Sequence, residues 1–286
     1  MTSTRTRPLL AAAAAVAVAL TGAVTTVAAA PSAEAAPSTV RVISHNLEKK
    51  TSALNKVLDL ADSDTVPGKE ILLLQEVCGD MLPALRKLGA TSFNPRRTGK
   101  CSGEDTRLGE AAVWTGSGAT ALEPQPLLTK GEHAYGLACV DLKKDGRSIR
   151  ACSTHLVAGG KDETEFRGRL TRKIRSVTND WISPSRTVIV GGDFNARPGF
   201  EAMDAMYADG KGAQGKFREI AQTAGAGNDA QSGRWTCGRL TDGRDTRRKI
   251  DYVFVSKSGS RDGGGSERTM ASPSNHRILF GALPLG

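Results

Sequence analysis

The stretch YGLACVDLKKDGRSIRACSTHL, residues 135–156, reads as two strands folded back on each other at Asp145-Gly146. That dipeptide suits a two-residue type I′ turn, in which both central positions take positive φ. Pairing Lys144 with Arg147 sets the register: Leu142 meets Ile149 and Val140 meets Ala151 on one face, and Asp141 meets Arg150 on the other. The same register places Cys139 opposite Cys152 at a non-hydrogen-bonded position, where strands come closest, so a disulfide is expected there. Downstream, Phe166, Leu170, Ile174, Val177 and Trp181 recur at spacings of four and three, predicting a helix over 163–182 with one buried stripe. Arg167, Arg169, Arg172, Lys173 and Arg175 fall on its other faces. An apolar strand, TVIVGGDFN at 187–195, follows. Strands joined partly by hairpins and partly by helices fit stacked sheets flanked by helices, an α/β (α+β) class.

The pattern extends in both directions. Strand-like apolar runs occur at 40–46, 70–77, 110–116, 249–256 and 276–285. Shorter helices are predicted at 51–61, 79–88 and, with Pro198 in its first turn, 198–208. Residues 256–275, rich in Gly and Ser, read as a flexible surface loop. No repeat, long linker or second composition regime interrupts residues 38–286, which are expected to form one domain.

With 39% hydrophobic residues the 286-residue chain is neither disordered nor collagen-like in composition. Its 39 Lys plus Arg against 30 Asp plus Glu give +9, which favours polyanions over cationic surfaces as partners. Residues 1–35 carry Arg5 and Arg7, an apolar run from 9 to 20, and small residues ending at Ala33 and Ala35, the layout of a cleaved secretion signal. Removing them takes away two Arg and one Glu and leaves +8. A run dominated by alanine is weakly apolar for a span, so a secreted, extracellular protein without a stable membrane anchor is expected. In that compartment five cysteines suggest disulfides. Cys78 with Cys101 is the second expected pair because the two are close in sequence, although Cys237 is able to replace either.

Several apolar strands end in side chains that a strand terminus does not require. Asn46 ends VRVISHN, Glu76 ends ILLLQE, His155 ends RACSTH, and Asp193 and Asn195 end TVIVGGDFN; Asp251 sits inside KIDYVFVS and His276 opens HRILFG. An unpaired carboxylate at Asp251, among apolar residues, costs several kcal/mol, so it requires a cationic, imidazole or metal partner. Carboxylate and amide oxygens suit Mg²⁺, Mn²⁺ or Ca²⁺, whereas a zinc site normally uses closely spaced Cys and His, and neither CxxC nor HExxH occurs. A phosphate loop GxxxxGK[ST] and a serine-hydrolase GxSxG are also missing, which leaves metal-assisted water attack.

QE at 75–76, STHL at 153–156, GGDFNARP at 191–198, KIDYVFVS at 249–256 and SNHR at 274–277 stand in the order found in the endonuclease/exonuclease/phosphatase superfamily, of the deoxyribonuclease-I-like type, which this chain resembles. The resemblance implies a four-layer αββα sandwich of two packed mixed sheets flanked by helices, with a site at the sheet rim that cleaves phosphoesters using Mg²⁺ or a similar ion. It also implies roles. Glu76 is the principal metal carboxylate, with Asn46 nearby and Asn275 as a further oxygen ligand. Asp193 orients or deprotonates the attacking water, and Asn195 helps to hold it and the phosphate. His155 and His276 form the phosphate-contacting and acid/base pair, with Asp251 holding His276. One departure stands out: the family usually has Asp-His where this chain has Asn275-His276. An amide keeps an oxygen ligand but loses a charge, so weaker metal binding is expected.

A monomeric nuclease acting on DNA or RNA is the reading favoured by the +8 charge and by Arg167, Arg169, Arg172 and Arg175 as candidates for backbone contacts. The alternatives are a secreted phospholipid phosphodiesterase of sphingomyelinase type, a phosphatase on a small phosphoester, and a catalytically silent polyanion-binding relative. A lipid enzyme would be supported by an exposed apolar hairpin, and the sequence has none.

Overall fold

The run Ile71–Leu74 is apolar at every position because its strand is covered on both faces. Ile71 and Leu73 enter one core, between two sheets, while Leu72 and Leu74 enter another, beneath helices. The computed structural model describes residues 38–63, 70–210, 212–226, 234–238, 240–241, 244–263 and 265–286. The expected secretion signal at 1–35 lies outside the described residues.

The strands in chain order are β1 (Thr39–Asn46), β2 (Glu70–Cys78), β3 (Ala90–Pro95), β4 (Leu108–Trp114), β5 (Thr120–Ala121), β6 (Gln125–Lys130), β7 (His133–Lys144), β8 (Arg147–His155), β9 (Arg186–Asp193), β10 (Phe217–Glu219), β11 (Leu240–Thr241), β12 (Arg244–Asp245), β13 (Asp251–Ser256), β14 (Ser266–Met270) and β15 (Ile278–Pro284). The helices are α1 (Thr51–Ala61), α2 (Leu82–Leu88), α3 (Thr164–Asn179) and α4 (Glu201–Asp204). One sheet runs β14-β15-β1-β2-β4-β3 and the other β10-β13-β9-β8-β7-β5, with β6 also on β7. Each is mixed: β1 pairs parallel with β2, and β8 parallel with β9, while every other pair in the two sheets is antiparallel.

Three apolar cores separate four layers. Val57 of α1 and Leu85 of α2 pack on Ile43 and Leu72 of the first sheet. Val42 and Leu73 meet Val140, Ala151 and Val253 between the sheets. Phe166, Leu170 and Ile174 of α3 cover Val188, Val190 and Phe254 on the outer face of the second. This is the αββα sandwich that the resemblance implied. The β7–β8 hairpin has the register expected from Asp145-Gly146, with Cys139 opposite Cys152 and Leu142 opposite Ile149. Val140 and Leu142 face the sheet–sheet core, while the bridged Cys139 and Cys152 face the helix side. Cys78 and Cys101 form the other disulfide, and Cys237 is a buried free thiol.

Three expectations need correction. The helix expected over 163–182 stops at Asn179, and Val177 and Trp181 pack only at the margin of the core. Where a helix over 198–208 was expected, only Glu201–Asp204 is helical: Pro198 precedes the N-cap residue Phe200, and the chain turns away to bring Phe217 beside Tyr207. Residues 256–275 are not one loop, because Ser266–Met270 pairs along β15 as an edge strand. Gly and Ser do set the turns before it, but a solvated edge strand carries little apolar signal. Among the described residues, no helix is long and apolar enough to cross a membrane.

Candidate active site

The site is built on a row of three residues across the second sheet. His155 at the end of β8 is in register with Asp193 at the end of β9, and Asp193 with Asp251 at the start of β13. Residues paired in register project on the same side of a sheet, so these three side chains converge. Asp193 Oδ2 lies 3.4 Å from His155 Nε2 and 3.7 Å from His276 Nε2. His276 Nδ1 donates to Asp251 Oδ1 and Oδ2 at 3.0 and 2.9 Å, so the ring is fixed with Nε2 turned to Asp193. Buried Thr236 secures the start of β13, its hydroxyl oxygen accepting from the amides of Ile250 and Asp251 at 3.1 and 3.0 Å. Lys249, two residues before Asp251, is buried in ion pairs with Glu219 and Glu267, and the Tyr207 hydroxyl donates to Glu219.

The first sheet supplies the facing wall. Asn46, the last residue of β1, reaches across and donates through Nδ2 to Asp193 Oδ2 at 3.1 Å. Glu76 is aimed by a bulge: the β2–β4 register slips between Leu74 and Val77, and Glu76 takes φ 51°. Ser274 ties His276 to this wall, donating to the Asn46 carbonyl at 2.8 Å and accepting from the His276 amide at 3.0 Å. Behind it, His45 Nε2 and the Ser272 hydroxyl are 2.7 Å apart.

A hollow of about 990 Å³ opens between the walls, lined by Asn46, Glu76, His155, Asp193, Asn195, Asn275 and His276. Those seven site residues, expected from separate motifs, are therefore together. Asp251, the eighth, is fully buried beneath and reaches the hollow through His276. Asn195 donates through Nδ2 to the Leu156 carbonyl, and its own amide donates to Asp193 Oδ1. Among the described residues five non-glycine residues have positive φ, and four of them, Glu48, Lys49, Glu76 and Asn195, line this hollow.

The sequence reasoning missed Glu48, Arg96 and Tyr135, which also line it. Glu48 accepts from Lys50 Nζ at 2.7 Å and from the Asn275 amide at 2.8 Å. Arg96 is held by buried Glu110 and donates to the His155 carbonyl at 3.2 Å. HNLEKK does flag Glu48 as a carboxylate two residues past Asn46, but nothing local to NPRR marks Arg96. The arginines expected to contact a phosphate backbone divide. Arg167 is buried and its guanidinium donates to the carbonyls of Val157, Gly159 and Gly160, so it is a loop clamp. Arg175 is bound to Gln214, and Arg169 lies over the Phe166 ring. None of the four lines the hollow.

Four of these groups, Asp193, His276, His155 and Glu48, are shifted from their ordinary values. Burial, reinforced by the charge of Asp251, pushes Asp193 up to about 7, against the opposing influence of His276. Burial acts to lower His276, but the charge and hydrogen bond of Asp251 outweigh it and raise the imidazole to about 12. His155 is driven well below its usual value by burial and by the cationic Arg96, so it is neutral. Burial raises Glu48, yet Lys50 and the Asn275 amide outweigh it and hold the carboxylate below its ordinary range.

Asp193, Asp251 and His276 offer ligand atoms within 4.8 Å of one another, a grouping compatible with a metal ion. Both Asp251 oxygens are already engaged by His276 Nδ1, which makes that pair better suited to hold a proton. The other wall fits a hard divalent ion: the Glu76 and Glu48 carboxylates and the Asn46 and Asn275 amides are oxygen donors bordering one hollow.

Opposed carboxylates and an aspartate-held imidazole thus meet at the rim of two packed sheets. Solved structures of similar fold include truncated Caenorhabditis elegans TDP2, at 17% identity and TM-score 0.60, covering 86% of this chain and 97% of that one. The human Nocturnin catalytic domain with bound sulfate is similar at 20% identity and TM-score 0.62, covering 87% and 94%. D. rerio TDP2 complexed with a single strand DNA product is similar at 17% identity and TM-score 0.57, covering 86% and 99%. Comparison with curated proteins gives no match. The Endonuclease/Exonuclease/phosphatase family profile matches residues 43–276, and the chain belongs to that family, whose members are generally phosphoester hydrolases.

Proposed function

We propose that the protein is a secreted, divalent-metal-dependent phosphodiesterase that hydrolyses nucleic acid. The observation that carries this reading is the position of Asp193 Oδ2, 3.4 Å from His155 Nε2 and 3.7 Å from His276 Nε2, across one hollow from Glu76. Glu76, with Asn46 and Asn275, would hold the ion, which when bound there supplies positive charge against the phosphate. Asp193 Oδ2 accepts the proton of the attacking water, a task favoured by a carboxyl poised near 7. His276, kept protonated by Asp251, presents Nε2–H to the leaving oxygen as negative charge develops on it. Neutral His155 places a ring nitrogen beside the phosphate position, and Arg96 adds a fixed cation to the same wall.

Nucleic acid is favoured as substrate by the cations bordering this acidic centre: Lys49, Lys50, Arg96 and Lys130 all line the hollow. The test incubates secreted protein with plasmid, RNA, sphingomyelin and a chromogenic phosphodiester, in Mg²⁺, Mn²⁺, Ca²⁺ or EDTA. Cleavage of DNA or RNA that EDTA abolishes, and that Glu76→Gln and Asp193→Asn both lack, is the expected result. Full hydrolysis in EDTA refutes the metal requirement, and faster turnover of sphingomyelin reassigns the substrate. Intact mass of the secreted product, expected to begin near Ala36, tests export.

A further inference from the structure

A second hollow, of about 570 Å³, opens beside the first and shares Ala158 and Asn195 with it. Its lining contains four cations, Lys161, Arg167, Arg197 and Arg248, and no Asp or Glu. Lys161 and Arg197 are exposed, and neither has an ion pair among the described residues. Arg167 is 3% exposed, clamps the loop that separates the two hollows, and keeps its Nε without a hydrogen-bond partner. At the same hollow stands Phe200, 43% exposed and the one large hydrophobic residue exposed among the described residues. A half-exposed aromatic ring beside two exposed cations without ion-pair partners, Lys161 and Arg197, leaves apolar area and positive charge open to a ligand.

A nucleotide in the hollow serves both, with its phosphate among the cations and its base against the ring. We propose that this second hollow is a nucleotide subsite, binding the residue of a single-stranded nucleic acid adjacent to the phosphodiester held in the catalytic hollow. The inference rests on the phosphodiesterase reading of that hollow. A stacking ring requires an unstacked base, which favours single strands over intact duplex. A lipid surface is served less well, because interfacial binding needs several protruding apolar groups and here one ring sits in a concave, cationic wall.

The experiment uses the mature chain and the variants Phe200→Ala, Phe200→Trp and Lys161→Ala with Arg197→Ala. Binding of a short fluorescein-labelled single strand is measured by anisotropy in EDTA, and hydrolysis of the same strand and of bis(p-nitrophenyl) phosphate is measured with metal. Phe200→Ala should weaken strand binding about tenfold, within the range for loss of one base–aromatic stack, and Phe200→Trp should restore it. The double variant should flatten the salt dependence by about one unit of log–log slope or more, as two fewer phosphate contacts require. Turnover of bis(p-nitrophenyl) phosphate should stay within about twofold in all three, because a small diester needs only the catalytic hollow. Unchanged strand affinity in Phe200→Ala overturns the subsite. A parent that hydrolyses no phosphoester sinks the phosphodiesterase reading instead, while strand binding in EDTA still decides the subsite.

Discussion

Asp193 and Asp251 stand directly opposite each other across the antiparallel pair β9–β13, two fully or almost fully buried carboxylates in one register position. Like charges so placed repel strongly in a low-dielectric interior, and the arrangement persists because the His276 imidazolium bonds one and faces the other. The chemistry of the rim depends on which of these three groups carries each proton.

Replacing Asp251 with Asn removes the charge that keeps His276 protonated while preserving shape. The imidazole should then fall from about 12, because only Cys237 and the Asp193 charge remain to oppose burial. Turnover should drop by about 10³–10⁴-fold, as in other sites where the carboxylate behind an imidazole is neutralised. Imidazole NMR titration and kcat on one substrate check both; an unchanged kcat would show that His276 does not act as an acid.

Asp193 makes a prediction on stability whose sign follows from its raised value. Its folded carboxyl titrates near 7 and its unfolded one near 3.8, so between these values the folded state holds a proton that the unfolded state lacks. The contribution of Asp193 to stability therefore declines as pH rises from 3.8 to 7. In EDTA, Asp193→Asn should be more stable than the parent above pH 7, on the order of 1–3 kcal/mol, and should lose that advantage near pH 4. Urea melts across pH measure it; a variant less stable than its parent at pH 8 refutes a carboxyl raised by burial and by Asp251.

Asn275 borders the hollow where the family resemblance implies a carboxylate, and its backbone amide donates to Glu48. Asn275→Asp should lower the metal concentration giving half-maximal activity by roughly tenfold or more, since a charge is worth a few kcal/mol more than an amide beside a partly screened divalent ion. A metal titration of parent and variant on one substrate decides it. Identical midpoints would place residue 275 beyond the influence of the ion.

Thr236 accepts two amide hydrogen bonds at the start of β13, so Thr236→Val orphans both donors in a buried position. The expected loss is about 1–3 kcal/mol, read from denaturant melts, with Thr236→Ser close to the parent. Turnover of the folded valine variant should also fall, because Asp251 is one of the two donors released.

Much of this site is legible in the chain because its members sit at strand ends. The hairpin register follows from one dipeptide, and Asp193, Asp251 and His155 are brought together by strand pairing alone. Arg96 and Thr236 were not legible as site residues, since their roles come from loops and from partners such as Glu110 that only the folded chain brings near, whereas Glu48 was marked only by its place two residues past Asn46. Arg167 misled for a related reason: a guanidinium on a polar-looking helix face is turned inward by three carbonyls of a preceding loop. The edge strand at Ser266–Met270 opens with four consecutive polar residues and has no periodic apolar signal to announce it.

The left-handed backbone at Glu48, Lys49, Glu76 and Asn195 has an implication for anyone engineering this protein. Each such position costs a non-glycine residue free energy, on the order of 1–3 kcal/mol at sparsely populated angles, and glycine would relieve it. Selection for heat resistance alone would therefore drift toward glycine at the lip of the hollow, and it would return sturdy proteins stripped of the side chains that face substrate. Libraries screened for robustness need a simultaneous activity screen at these four codons, whereas Asp145, strained in the same way but at a hairpin tip away from the hollow, can become glycine with its turn intact.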